Sequence, residues 1–191
     1  MFAPLLPTIC LAGRRTKLKK VIVISGLPGS GKSTVAEGVA EKLKLPIFSV
    51  DPIESSIVKS GLKRSFETGL AAYLVAGALA AEQLSLGLSV IIDAVNPVRE
   101  ARDMWHNLSD KHNSRLIIIE CVLDGDLHKE RLESRVRNMH GIPEVTWSDV
   151  ENRRNQYLEW KEERLVLDTS ESKEDNLGKA LKYIKTAEKD K

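Results

Sequence analysis

The sequence predicts an α/β fold: a parallel sheet of about five strands with helices on both faces. Three observations predict it. Short apolar, β-branched runs such as Val21-Ile22-Val23-Ile24 recur along the chain, and such runs suit strands buried on both faces. Each run is followed by a longer segment of helical period, the alternation that crossover connections need. A Gly-rich loop occupies the first strand-to-helix junction. With 191 residues, 42% apolar and 29% charged, the chain is long enough for one core without disulfides or structural metals.

The elements follow in order. Val21–Ile24 is the first expected strand, and a helix runs from Lys32 to about Lys44. Pro46 stops that helix, and Ile47–Val50 is a second strand. Ile53–Ser60 reads as a helix that Gly61 stops. Phe66–Leu86 reads as a long helix, small-residue-rich enough to lie close against the sheet, with Gly87 as its stop. Ser89–Ile92 is a third strand ending at Asp93. Asn96-Pro97 reads as a helix start, with Asn as cap and Pro in the first turn. Leu116–Val122 is the fourth strand, Asp126–Arg137 a charged helix and Asn138–Pro143 a loop. The helix from Thr146 to about Trp160 opens with capping-box-like spacing of Thr146 and Asp149. Leu165–Leu167 is a brief fifth strand, and Ser172 caps a last helix whose Leu177, Leu181 and Ile184 form the buried stripe.

Net charge is +2, but positions 1–20 hold five basic residues and no acid, which leaves −3 on residues 21–191. A mildly acidic body disfavours a polyanion-binding chain. Residues 1–19 read as a basic extension and 20–191 as a single domain. An organelle presequence in 1–20 is the alternative to a plain extension. Cys10 and Cys121 stand far apart in unlike contexts, which supports free thiols in a reducing cytoplasm. The uncharged run 68–81 falls short of the roughly 20 apolar residues a membrane span needs.

One motif decides most. Gly26-Leu-Pro-Gly-Ser-Gly31-Lys32-Ser33 matches the phosphate-binding loop G-x-x-x-x-G-K-[ST] without a mismatch, in the strand-to-helix context it requires. Gly26, Gly29 and Gly31 let successive backbone amides turn around a phosphate, with Pro28 and Ser30 completing the loop. The helix start adds its positive end. Lys32 would reach the β- and γ-phosphates of ATP, Ser33 would ligate Mg²⁺, and Thr34 is a further phosphate contact. Val90-Ile91-Ile92-Asp93 is an apolar run closed by an acid, the pattern of a strand-end carboxylate that holds Mg²⁺ through water. Asp93 also suits a simple turn cap.

These residues resemble P-loop kinases of the adenylate-kinase-like branch, near zeta-toxin, chloramphenicol phosphotransferase and polynucleotide kinase relatives that are grouped as AAA-type ATP-binding proteins. The resemblance covers about residues 20–170. It rests on GLPGSGKST at 26–34, Ser49-Val50-Asp51, IIDAVNPVREAR at 91–102, ERLESR at 130–135 and Val166–Ser170. It implies a three-layer P-loop fold with strand order 2-3-1-4-5 and a lid at about 126–145. It also implies that Asp51 is the general base toward an acceptor hydroxyl. A carboxylate at the sheet's ligand edge is chemically suited to that, although Asp51 followed by Pro52 also suits a helix cap. In the lid, Arg131 and Arg135 would close over the phosphates. On a continuous helix they share one face at i and i+4, with Arg137 just beyond, while the interleaved Glu130 and Glu133 fit a solvated face equally. Asn96 and Arg99 are acceptor candidates, Asn96 doubling as the helix cap, and Arg64 is either an acceptor clamp or an exposed side chain. The four histidines have no ligand spacing and receive no role.

The sequence has no N/T-K-x-D guanine signature, no second P-loop, and no recognisable base- or phosphate-binding motif in 53–88. It thus predicts an ATP–Mg²⁺ phosphotransferase for a small-molecule hydroxyl. A polynucleotide 5′-hydroxyl kinase and a nucleotide-dependent switch are the competing readings. No membrane partner is expected, and the oligomeric state is open.

Overall fold

The computed structural model describes residues 18–135 and 143–187. In chain order these form β1 (Lys20–Ser25), α1 (Lys32–Leu43), β2 (Ile47–Ser49), α2 (Val50–Lys59), α3 (Phe66–Ser85), β3 (Val90–Asp93), α4 (Arg99–Lys111), β4 (Arg115–Val122), α5 (Gly125–Ser134), α6 (Trp147–Gln156), β5 (Leu165–Asp168) and α7 (Lys173–Thr186). The sheet is parallel throughout, in the order β2-β3-β1-β4-β5. That is the expected order, with the loop-bearing β1 at the centre.

Residues of β1 alternate between two cores. Ile22 and Ile24 pack with Val35 and Val39 of α1 and with Ala180 and Ile184 of α7. Val21 and Val23 pack on the other face with Ala72, Ala76, Ala80 and Leu84 of α3 and with Trp105 of α4. The period of two in the strand thus sends successive side chains to opposite helix layers. The four α3 residues recur every fourth position and have no exposed surface, so the small side chains bring that helix close to the sheet, as expected.

Several caps match expectation. Thr146 accepts from the Asp149 amide while the Asp149 carboxylate accepts from the Thr146 amide, and Ser172 accepts from the Asp175 amide. Gly61 and Gly87 follow α2 and α3 at positive φ.

Besides the end of α5, at Ser134, three boundaries differ. β2 ends at Ser49 and α2 opens at Val50, so Asp51 lies inside the first turn and is not the cap. α4 begins at Arg99 rather than at Asn96-Pro97; Asn96 sits before it at φ 52°, buried and turned inward. α6 ends at Gln156, four residues early, because Tyr157–Trp160 folds back against α4: the Leu158 amide bonds the Pro97 carbonyl, and the Arg102 guanidinium lies 3.9 Å from the Trp160 ring centroid. Cys121 is buried and free, and Cys10 lies outside the described residues. Among the described residues no helix is long and apolar enough to cross a membrane.

Candidate active site at the carboxyl edge of the sheet

The parallel arrangement places every strand end on one edge, where open α/β sheets bind ligands. Ser25, Asp93 and Ser49 end the three adjacent strands β1, β3 and β2 there, with Ser49 and Ile24 both in register with Asp93. The Gly-rich loop leaves β1 at this edge and runs into α1.

The loop is held from three sides. A Cβ at Gly26, which has φ 147°, would come within 2.4 Å of the Cys121 carbonyl, so only glycine lets β1 turn against β4 there. The His128 side chain of α5 is fully buried, and its Nε2 lies 2.8 Å from the Pro28 carbonyl oxygen, to which it donates. Gly29 faces the same ring, where a Cβ would meet Nε2 at 3.1 Å. On the far side the Thr169 hydroxyl donates to the Ser30 carbonyl at 2.8 Å. Two loop carbonyls are therefore engaged by neighbouring elements. The first amides of α1, which lack helical partners, open toward the same space. Gly31 is the α1 N-cap.

Lys32 is almost fully buried at the base of the loop, Ser33 is half-buried and Thr34 is exposed. Asp93 is buried as well, and its Oδ1 has no hydrogen-bond partner among the protein atoms; the same holds for Ser30 Oγ. A buried, orphaned carboxylate oxygen at this sheet edge is one that a cation and its water shell would satisfy. Burial pushes the neighbouring Cys121 thiol up to about 12, with Lys32 pulling against it and Asp93 and Glu120 adding to it. That thiol is inert.

Two large cavities open here, one of them beside the loop. The first, about 640 Å³, lies between α1, α5 and the β5–α7 turn, and Thr34, Arg131, Arg135 and Thr169 line it beside Gly29 and Gly31. Arg131 donates to the Thr169 carbonyl at 2.7 Å. Both predicted lid arginines thus reach one cavity, but not by the expected helical face: α5 stops at Ser134, and Arg135 is extended at φ −87°, ψ 131°. Arg137 lies outside the described residues, as does most of the segment after it.

The second cavity, about 620 Å³, lies over α2, α3 and α4. Asp51, Arg64, Glu54, Tyr73 and Arg153 line it together with apolar side chains. Arg64 donates to Glu54 at 3.3 Å. Arg99 opens α4 as an exposed residue outside this lining, where Glu100 stands instead. Asn96 is not in this lining either, and it is not the α4 cap, which is Val98. Its Oδ1 accepts from Trp105 Nε1 at 2.8 Å, its amide donates to the Tyr73 hydroxyl at 3.0 Å, and its carbonyl accepts from Arg102 Nε at 3.0 Å. Asn96 is a buried hub beneath the cavity.

Sequence reasoning missed three contributors. His128 is a lone histidine in a charged helix, and its loop partner lies 100 residues away. Arg153 sits among polar residues of α6 with nothing local to mark it. Tyr157 joins its hydroxyl to Ser25 Oγ at 3.2 Å, and burial pushes that phenol up to about 12. Its only signal is an aromatic residue at the end of a polar helix.

Known proteins are similar to this chain in sequence and in fold. Residues 21–157 match the AAA domain family AAA_33. Threonine synthase-like 1 of Pongo abelii is 27% identical over 170 residues, 87% of this chain but only 22% of that protein. The bifunctional polynucleotide phosphatase/kinase of Schizosaccharomyces pombe is 25% identical over 142 residues, 73% of this chain and 31% of that protein. This chain therefore spans under a third of either relative. Adenylyl-sulfate kinase of Bacillus velezensis is 27% identical over 174 residues, 87% of this chain and 85% of that one. Among solved structures, a putative kinase from Chloroflexus aurantiacus superposes with TM-score 0.69 at 24% identity, covering 87% of this chain and 98% of that one. The Mycobacterium tuberculosis APS kinase in complex with AMPPNP and APS gives 0.68 at 20% identity, with 88% and 98% coverage. A gluconokinase from Sinorhizobium meliloti gives 0.64 at 20%, with 92% and 97% coverage. An unbroken phosphate-loop sequence on a matching loop, the kinase strand order and a family match over most of its length agree: this chain belongs to the AAA domain family AAA_33, on the fold of the P-loop kinases.

Proposed function

We propose that the protein transfers the γ-phosphoryl group of ATP to a hydroxyl of a small molecule. The observation that carries this reading is the pairing of two cavities on one sheet edge, one beside the phosphate loop and the lid arginines, the other lined by Asp51. A switch needs only the first. The names of adenylyl-sulfate kinase and gluconokinase add support for a small acceptor.

The residues divide the work. Gly26, Pro28, Gly29, Ser30, Gly31 and Thr34 form the loop around the phosphates, with Lys32 as the charge on the β- and γ-oxygens. Arg131 and Arg135 border the donor cavity and would cover the nucleotide. Ser33 and Asp93 suit Mg²⁺, since Asp93 brings a buried oxygen without a partner. When bound, Mg²⁺ neutralises charge on the phosphate oxygens. Asp51 accepts the acceptor's hydroxyl proton as the bond from the γ-phosphorus to the ADP oxygen breaks and the bond to the acceptor oxygen forms. Arg64 and Arg153 position the acceptor. Residues 20–191 act as one domain, with 1–19 an extension before it.

A polynucleotide 5′-hydroxyl is the second reading, favoured by the match to polynucleotide phosphatase/kinase. The test supplies ATP labelled at the γ-phosphate, a metabolite pool and, separately, a 5′-hydroxyl oligonucleotide. Label should appear on a pool component and not on the oligonucleotide, and Lys32→Ala should abolish it. No ATP–Mg²⁺ binding by calorimetry, or label on the oligonucleotide alone, overturns the reading.

A further inference from the structure

The Asp51 cavity has a character that phosphoryl transfer by itself does not demand. Its walls are largely apolar: Phe66, Leu70, Val98 and Met104 line it, with Tyr73 and Val95 also in the wall. Phe66 and Leu70 stand four residues apart on α3, hence on one ridge, and they are 80% and 46% exposed. The core stripe of α3 begins at Thr68 and Ala72, so this ridge faces away from the sheet. Large apolar side chains left open at the rim of a cavity mark a contact surface for a ligand.

The charges in the wall point the same way. Asp51, Glu54 and Glu100 stand against Arg64 and Arg153. Glu54 is mostly buried, and it accepts from Arg64 Nε at 3.3 Å and from the Thr68 hydroxyl at 3.4 Å. One guanidinium is therefore already compensated inside the wall, and the balance of the lining is negative. An acceptor bringing a further phosphate would meet more carboxylate than guanidinium charge. A polynucleotide would also need a basic track leading to the hydroxyl.

Resting on the kinase reading above, we propose that the acceptor is a neutral or cationic alcohol with an apolar, ring-bearing body. Its hydroxyl sits at Asp51, and its body lies along Phe66, Leu70, Val98 and Met104. The volume of about 620 Å³ admits a ligand of drug-like size. The exposed ridge extends that contact beyond the cavity mouth.

Met104 supplies a reporter inside the wall. With the methionine methyl groups isotope-labelled, and the Met104 resonance assigned by its loss in Met104→Leu, the full chain is titrated by NMR with two probes. One is tyrosol, a neutral phenolic alcohol. The other is tyrosol phosphorylated on its phenol oxygen, which keeps the same free alcohol. Tyrosol should shift the Met104 methyl saturably, and the phosphorylated probe should bind roughly tenfold more weakly or worse. Phe66→Ala should weaken tyrosol binding about tenfold, the loss expected for one aromatic wall. A Met104 methyl that stays silent to tyrosol overturns the proposal. So does equal or tighter binding of the phosphorylated probe. Calorimetry of ATP–Mg²⁺ on the same sample reports on the kinase reading separately: its failure removes that reading, while the methyl shifts still decide the chemistry of the cavity.

Discussion

At Asp93 the proposed role rests on what the residue lacks. It is buried at the end of β3, and its Oδ1 finds no protein donor. A turn cap would have that oxygen engaged by an amide, and its lack of one is the support for the proposed cation role. Asp93→Asn keeps the shape and removes the charge. The Mg²⁺ concentration for half-maximal activity should rise about tenfold or more, with metal-free nucleotide binding little changed. A titration of activity with Mg²⁺ that superposes on wild type would return Asp93 to a structural role. Asn96 shows the opposite case. Its sequence context, just before proline, reads as a helix cap, yet its hydrogen bonds run inward to Ser25, Tyr73, Arg102 and Trp105.

At the scale of elements, α3 carries the clearest packing claim. Ala72, Ala76 and Ala80 have no exposed surface against the β1–β3 face of the sheet. Ala76→Leu adds volume where the backbone lies close, and unfolding in denaturant should show a loss of about 1–3 kcal/mol. A midpoint equal to wild type would mean that the helix stands off the sheet. This stripe was legible because a helix periodicity and small side chains state the same thing. So were the caps at Thr146 and Ser172 and the stops at Gly61 and Gly87, whose signals are local. The start of α4 and the end of α6 were not. Arg102 settles both by donating to the carbonyls of Asn96, Leu158 and Glu159 and stacking on Trp160, contacts made across about 57 residues of chain. The phosphate loop was readable in full, but its anchors His128 and Thr169 were not, since a side chain that holds a backbone carbonyl far away leaves no local pattern. Arg131 and Arg135 line one cavity, but the shared helical face expected of them does not exist, because α5 ends before Arg135.

For the whole molecule, folding buries the Cys121 thiol and the Tyr73 and Tyr157 phenols. Burial raises Cys121 and Tyr157 to about 12 from ordinary values of 9.0 and 10.0, and it raises Tyr73 beyond that range. Each group is held protonated in the folded state and ionises first in the unfolded chain. Stability from them is complete below pH 9 and falls as pH climbs toward 12, by about 1.4 kcal/mol per pH unit for each group titrating in the unfolded chain. Denaturant midpoints should be flat from neutrality to pH 9 and decline above it, and Cys121→Ala should delay the onset to about pH 10, where the phenols take over. An onset unchanged in that variant would show that the thiol is not held protonated. The central claim, that the sheet edge joins a nucleotide site to an acceptor site through Asp51, has its most direct test in one variant. Asp51→Asn keeps the side chain's size and removes its capacity to accept a proton; because the α2 cap is Ser49, stability should change by less than about 1 kcal/mol. Single-turnover transfer of the labelled γ-phosphoryl to the identified acceptor should fall by roughly 10²–10⁴-fold while ATP–Mg²⁺ still binds and slow hydrolysis persists. Transfer at the wild-type rate with Asn at position 51 would contradict the account.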